Sequence, residues 1–523
     1  MDVPKTLTRI KRTDNLLAMI TRIRTIFLAL CFWATAITGA EKNVIFFITD
    51  DESPTLGCYG DPVANTPAID ALAKDGTLFL NAYATTASCS ASRSVVMSGL
   101  HNHANGQYGH QHNFHKFASY YNVIGLSLPR AMANAGYRTG HIGKYHVAPE
   151  EVFHYQTYLK GSTRNAVQMA EQSRAFITEK SDQPFFLYFA TSDPHRGGGR
   201  DKTSKRELKP DLFGNKPNRK AHAGVEEVFY DPKKVPIPSF LPDTPETREE
   251  LAQYYQSVSR IDQGVARLVE ILKEAGIYEK TMIVFTSDHG MAFAGGKTTV
   301  YEGGLRVPFV VRNPYEKKRG VRHEALISHI DIAPSLLDFG GGLDPKANRP
   351  KAWVDPNAYW KEKRYAAKEN RGQTSKLSAY HGKSWVPILG KPAESHWESV
   401  FASHTFHEIQ MYYPMRVVRD GEYKLIWNIA HPLPYPFASD LWAASSFQAQ
   451  YRKSLSAPYG QKTVREYIHR KEFELFRIDE DPHETKNLAY DAKHADTLKR
   501  YKEKLKAAQR KFHDPWIMKW SYE

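Results

Sequence analysis

Residues 43–49 (NVIFFIT) form an unbroken run of apolar and β-branched residues that stops at the acidic pair Asp50-Asp51. A strand that is apolar at every position, rather than every second one, predicts burial on both faces, as in a parallel sheet. Residues 184–190 (PFFLYFA) and 281–286 (TMIVFT) repeat the pattern, and the polar stretches TSDPHR and SDHG follow them. Residues 77–83, 139–143 and 307–311 read as further strands. Helical patterns lie between: residues 66–75 with Pro67 in the first turn, residues 126–135 stopped by Gly136, and residues 333–339. The stripe Leu251, Tyr254, Val258, Ile261, Val265, Leu268 and Leu272 predicts one helix over residues 245–275, ended by Gly276. Strands alternating with helices predict an α/β fold with a large, mostly parallel sheet sandwiched by helices.

Past residue 340 the pattern changes. Residues 340–375 are polar and rich in Pro, Gly and Lys, as a linker would be. Short strand-like pieces at 399–403, 415–419 and 423–427 precede a helical stretch at 497–512, predicting a smaller C-terminal α+β domain with an antiparallel sheet. A chain of 523 residues suits two domains better than one core, and the expected division is 41–375 and 376–523. The N-terminus reads differently again. A basic stretch ending Arg22-Ile23-Arg24, an apolar run over 26–37 and small residues up to Ala40 have the layout of an export signal over residues 1–40. That apolar run is short for a bilayer span, so a membrane anchor is the weaker alternative.

Composition narrows the partners. A formal net charge of +14 favours anionic ones, whether nucleic acid, membrane surface or polysaccharide. The sequence carries no helix-turn-helix, zinc-finger or aromatic RNA-binding motif, so nucleic acid is set aside. Of three cysteines, Cys31 falls in the apolar run, leaving Cys58 and Cys89 to an exported chain and at most one disulfide. The absence of any Asn-x-Ser/Thr acceptor points to the periplasm or extracellular space rather than glycan-routed lysosomal delivery.

The polar residues fall where an open α/β sheet binds its ligands, at the carboxyl ends of strands. Asp50 and Asp51, Asp193 and His195, and Asp288 and His289 follow three separate strands. Carboxylates gathered in one place repel unless a positive group holds them, and a hard divalent cation meets that need. A fourth segment, Ser88-Cys89-Ser90-Ala91-Ser92-Arg93, leads into the helical SVVMSGL. With Arg93 four residues after Cys89, it resembles the signature of the sulfatase family, Cys-x-Pro/Ala-x-Arg, which directs oxidation of the cysteine to formylglycine. Ala91 stands where Pro is the commoner residue. Further family elements follow in order: Gly143-Lys144-Tyr145-His146, then His195, then Asp288-His289, then Lys297 ahead of Tyr301-Glu302-Gly303-Gly304. The likeness extends almost end to end to the sulfamidase branch, through FATSDPHR, SVSRIDQGV, HEIQMYYPMRVV, EDPHETKNLA and HDPW.

That resemblance implies an alkaline-phosphatase-like sulfatase fold. It implies a divalent cation at Asp50, Asp51, Cys89, Asp288 and His289; the carboxylates favour calcium, whereas the imidazole at 289 leaves manganese open. The implied catalytic set is Cys89, Arg93, Lys144, His146, His195 and Lys297. Asp193, His407, Glu408 and Arg416 are the implied substrate contacts. The implied reaction is hydrolysis of the N-sulfate of terminal N-sulfoglucosamine in heparan sulfate or heparin, after a formylglycine-generating enzyme matures Cys89. An O-sulfatase, a phosphodiester or phosphonate monoester hydrolase, and a non-catalytic glycan-binding protein are the alternatives. A homodimer is left open.

Overall fold

All seven side chains of β1 (Asn43–Thr49) are buried, and this strand lies inside an eight-stranded sheet. The pleat sends successive residues to opposite faces. Ile45 and Phe47 accordingly join one hydrophobic core, while Val44, Phe46 and Ile48 join another. The computed structural model describes residues 42–112, 114–197, 199–200, 208–209, 213–215, 222–362 and 377–522. The export signal expected over 1–40 lies outside these residues. Among the described residues, no helix is long and apolar enough to cross a membrane.

The other strands are β2 (Thr77–Tyr83), β3 (Arg138–Gly143), β4 (Thr157–Leu159), β5 (Phe185–Ala190), β6 (Thr281–Ser287), β7 (Phe309–Arg312) and β8 (Val321–Ser328). They are ordered β8-β2-β7-β6-β1-β5-β3-β4. Only β7 runs antiparallel to its neighbours, so the sheet is mixed and mostly parallel. Helices α1 (Pro67–Lys74), α4 (Ala166–Thr178) and α5 (Pro245–Glu274) cover one face through residues such as Leu72, Met169 and Val258. Helices α2 (Cys89–Ser98), α3 (Leu128–Asn134) and α6 (Ile332–Phe339) cover the other through Val96, Met132 and Leu336. The apolar stripe of α5 is the one predicted. The Thr244 side chain accepts a hydrogen bond from the Thr247 N–H at its start.

β9 (Val400–His404), β10 (Met415–Arg419), β11 (Tyr423–Asn428) and β12 (Phe473–Arg477) form an antiparallel sheet in sequence order. Helix α7 (Ala495–Lys511) packs on it through Tyr501 and Leu505. Its other face is not separate from the large sheet: Ala402, Val417 and Phe476 share one core with Tyr301 and Val310. Lys42–Glu523 therefore gather into one compact unit. The stretch expected as a linker is structured in its described part. It carries the paired segments Leu343–Asp344 and Arg349–Pro350 and the helix Pro356–Glu362. The reason is Trp360, which is buried and donates its indole N–H to the Tyr121 carbonyl at 3.0 Å.

Candidate active site

Parallel pairing levels the strand ends. Ile48 of β1 faces Ala190 of β5, Thr49 faces Ser287 of β6, and Gly143 of β3 faces Ala190. Backbone bonds then lock the residues just beyond: Asp288 N–H to Thr49 O at 3.1 Å, Asp50 N–H to Asp193 O at 3.1 Å, and Lys144 N–H to Ala190 O at 2.8 Å. Sequence positions up to 238 residues apart, Asp50 and Asp288, thus share one edge. Cys89 is the first residue of α2 and is fully buried. Its place at a helix N-terminus sets it in the positive end of the helix dipole, which favours an anion there. Arg93 stands one turn further along and shares Cys89's face of the helix.

Four carboxylates and three cationic groups meet here. Arg93 is fully buried and donates from Nε to Asp288 Oδ2 at 3.0 Å and from Nη2 to Asp50 Oδ1 at 3.2 Å. Lys144 donates to the other oxygen of Asp50. Lys297 Nζ lies 3.0 Å from Asp51 Oδ2, 2.9 Å from Asp440 Oδ2 and 3.1 Å from His195 Nε2. Asp288 Oδ1 accepts the backbone N–H groups of Asp51 and His289 at 3.0 and 2.9 Å. Three site residues adopt a left-handed backbone: Asp51 at φ 67°, His146 at 53° and Thr298 at 63°. Strain of this kind costs on the order of 1–3 kcal/mol per residue and persists where the surroundings impose it. Thr298, which aims Lys297, is held by its N–H to Ala87 O at 2.8 Å and by Tyr435 Oη, 2.6 Å from its hydroxyl.

The electrostatics follow from this packing. Burial alone would raise Asp50, but Lys144, His195 and Arg93 hold it well below the usual carboxylate range. Burial lifts Asp288 to about 6 against the pull of Arg93. The Cys89 thiol is pushed well above its ordinary value by burial, against Lys144 and Lys297. Burial and then Lys297 push His195 well below the usual imidazole range.

The donor set fits a divalent cation. His289 Nδ1 lies 3.0 Å from Gly290 O, and its Nε2 points to Asp51 Oδ1 at 3.1 Å and Cys89 Sγ at 3.3 Å. Carboxylate oxygens, an imidazole nitrogen and a sulfur that converge in one buried space make a ligand set for such an ion. Asp51, Cys89 and His289 form one group of converging ligand atoms, and Asp50, Cys89 and Asp288 another.

The expected substrate contacts divide. Glu408 is half-buried and accepts from Ser439 Oγ at 3.0 Å. His407 is buried against Ser88 Oγ and His110, with Ser88 Oγ 3.0 Å from its Nδ1. Asp193 and Arg416 are each held by charged partners. Both Asp193 oxygens are taken, by Arg164 at 3.0 Å and Arg260 at 2.7 Å, which fixes the loop carrying His195. Arg416 is fully buried in a forked pair with Asp514 at 2.7 and 3.0 Å and stacks over Trp516. Sequence reasoning missed Asp440, the second carboxylate on Lys297, and Tyr188, whose hydroxyl lies 3.4 Å from Arg93. It also missed His110, although the dense GHQHNFH stretch was a visible signal.

Residues 42–342 match the Sulfatase family. The N-sulphoglucosamine sulphohydrolase of Homo sapiens is 35% identical over 492 residues, covering 91% of each chain. An ulvan-active sulfatase of Formosa agariphila is 27% identical over 397 residues, covering 74% of this chain and 66% of its own. A solved protein in complex with its substrate D-glucosamine-2-N,6-O-disulfate superposes with TM-score 0.61 at 18% identity, over 91% of this chain and 99% of that one. The phosphonate monoester hydrolase of Agrobacterium radiobacter gives 0.59 at 17% identity, over 90% and 96%. These two structural likenesses establish the fold alone. The family match and the human relative establish more: the chain belongs to the sulfatase family of sulfuric ester hydrolases.

Proposed function

We propose that this protein hydrolyses the N-sulfate of terminal N-sulfoglucosamine in heparan sulfate or heparin fragments. One observation carries the reading. Identity to the human N-sulphoglucosamine sulphohydrolase covers 91% of both chains, so it includes the C-terminal sheet whose β9–β10 loop brings His407 against Ser88, the neighbour of Cys89. The net charge of +14 suits a polyanionic glycan.

Matured to formylglycine and hydrated to a gem-diol, position 89 would offer one hydroxyl to attack sulfur as the S–N bond breaks, and a divalent cation, calcium or manganese, would acidify that hydroxyl. Asp50, Asp51, Asp288 and His289 would hold that cation. Arg93 keeps Asp50 and Asp288 aligned through its two hydrogen bonds. Lys144 and Lys297 flank position 89 and stabilise charge gathering on the sulfate oxygens. The bound sulfate brings negative charge beside His195, which draws its pKa back up and lets the ring protonate the leaving nitrogen. His146 would take the proton of the second hydroxyl as the aldehyde re-forms and sulfate leaves.

His195→Ala is expected to slow release of N-linked sulfate by about 10²–10⁴-fold, the usual worth of a general acid. An aryl sulfate whose phenolate departs unaided should lose far less. Equal losses on both substrates would place His195 outside proton donation. The sugar assignment is tested with glucosamine carrying sulfate at N-2, at O-6 or at O-3. Sulfate release from the N-sulfated sugar alone is the expected result; release from the O-sulfated sugars alone would replace the sulfamidase reading with an O-sulfatase.

A further inference from the structure

Beside the acidic centre stands a second cluster of different chemistry. His110, His112 and His146 offer ligand nitrogens that all lie within 4.8 Å of one another. His110 Nδ1 is 3.3 Å from His146 Nε2. Two nitrogens bound tetrahedrally to one zinc ion at 2.0–2.1 Å stand about 3.3 Å apart, so this pair already has the separation of two ligands.

One tautomer arrangement of the neighbours suits a ligand. His407 Nδ1 lies 3.0 Å from Ser88 Oγ, and His110 Nε2 lies 2.9 Å from His407 Nε2 and 3.0 Å from His407 Nδ1. With His407 Nδ1–H donating to Ser88, its Nε2 accepts from His110 Nε2–H. The lone pair of His110 is then on Nδ1, toward His146. Such outer hydrogen bonds orient metal-ligating histidines. His112 and His146 have parallel rings 5.2 Å apart, and each keeps a buried Nδ1 with no hydrogen-bond partner among the described residues. Buried polar atoms are nearly always satisfied, so the orphaned His112 Nδ1 beside the His110–His146 pair points to a ligand.

We propose that His110, His112 and His146 form a second metal site, taking a borderline transition ion of the Zn²⁺ class, at the edge of the catalytic centre. The set is all nitrogen, which selects zinc, copper or nickel over calcium and magnesium. The oxygen-rich set at Asp50, Asp51 and Asp288 has the opposite preference. Three histidines leave a fourth position to water or an anionic group. Binding needs only this geometry. Its effect on turnover rests on the proposed function, because an ion on His146 removes the base assigned there. The site then acts as a zinc-sensitive brake.

The test titrates Zn²⁺ into the full-length, calcium-loaded protein by calorimetry and follows sulfate release from N-sulfoglucosamine in parallel. His112→Ala and His112→Gln alter a ligand that has no part in the proposed reaction. The expected result is a zinc-binding event in the wild type that weakens by at least about tenfold in both variants. Zinc inhibition should be lost to the same extent. A visible Co²⁺ spectrum of tetrahedral type, present in the wild type and absent from both variants, is the second readout. Unchanged zinc affinity in the variants, with no change in the Co²⁺ spectrum, overturns the site. Binding that depends on His112 without inhibition upholds the site and removes His146 from the mechanism.

Discussion

Cys89→Ala is expected to abolish sulfate release, by about 10³-fold or more, while the protein stays folded. The size of the loss follows from placement. Cys89 opens helix α2 against Asp51 and His289, with its thiol 3.6 and 3.3 Å from them, and Lys144 and Lys297 bring positive charge to that point. The stability change should be small, because alanine removes one sulfur atom and breaks no ion pair. Cys89→Ser separates the chemistry further. Serine keeps a hydroxyl that can attack sulfur once, but it cannot expel sulfate by re-forming a carbonyl. A single turnover that leaves sulfate on the serine is the expected outcome. Repeated turnover by the serine variant would show that an aldehyde at position 89 is not needed. Mass spectrometry of the intact variant, before and after substrate, reads the difference.

The second large effect is on stability. Arg93→Met is expected to destabilise the fold by about 3–5 kcal/mol, the range seen when one partner of a buried ion pair is removed. Arg93 has no exposed surface, and it is the shared partner of Asp50 and Asp288, both equally buried. Without it those two carboxylates face each other across the strand ends. Two secondary results follow. The loss should shrink below pH 6, because Asp288, already lifted to about 6 by burial, takes up a proton more readily once the guanidinium is gone. Added calcium or manganese should recover part of the stability by supplying the missing charge. Urea unfolding at pH 5 and pH 8, with and without the ion, measures all three. An unchanged midpoint at pH 8 would mean that Arg93 does not hold ionised carboxylates together.

Much of this arrangement was legible in the sequence, and the reasons are specific. Unbroken apolar runs revealed β1, β5 and β6, because strands buried on both faces leave no polar alternation. The stripe along α5 stood out because one face of a thirty-residue helix is buried from end to end. Strand β8 was missed: its residues VRHEALIS mix three charged or histidine positions into an edge strand whose exposure alternates only in part. Helix α4, with few strongly apolar residues, was missed as well. At the site, the strand-end acids and the Cys89–Arg93 spacing were visible because each lies within a short local pattern. The partners that decide side-chain roles are remote. Asp514 is 98 residues from Arg416, and Asp440 is 143 residues from Lys297. No local pattern signals either pairing.

The central claim is that position 89 is the matured nucleophile of a sulfate-cleaving site. Mass spectrometry of the peptide spanning Cys89, on protein from its native host, tests it most directly when the same preparation is assayed on N-sulfoglucosamine. The account predicts an aldehyde in place of the thiol, in proportion to the sulfate-releasing activity. An unmodified thiol throughout, in a preparation that releases no sulfate, would contradict it.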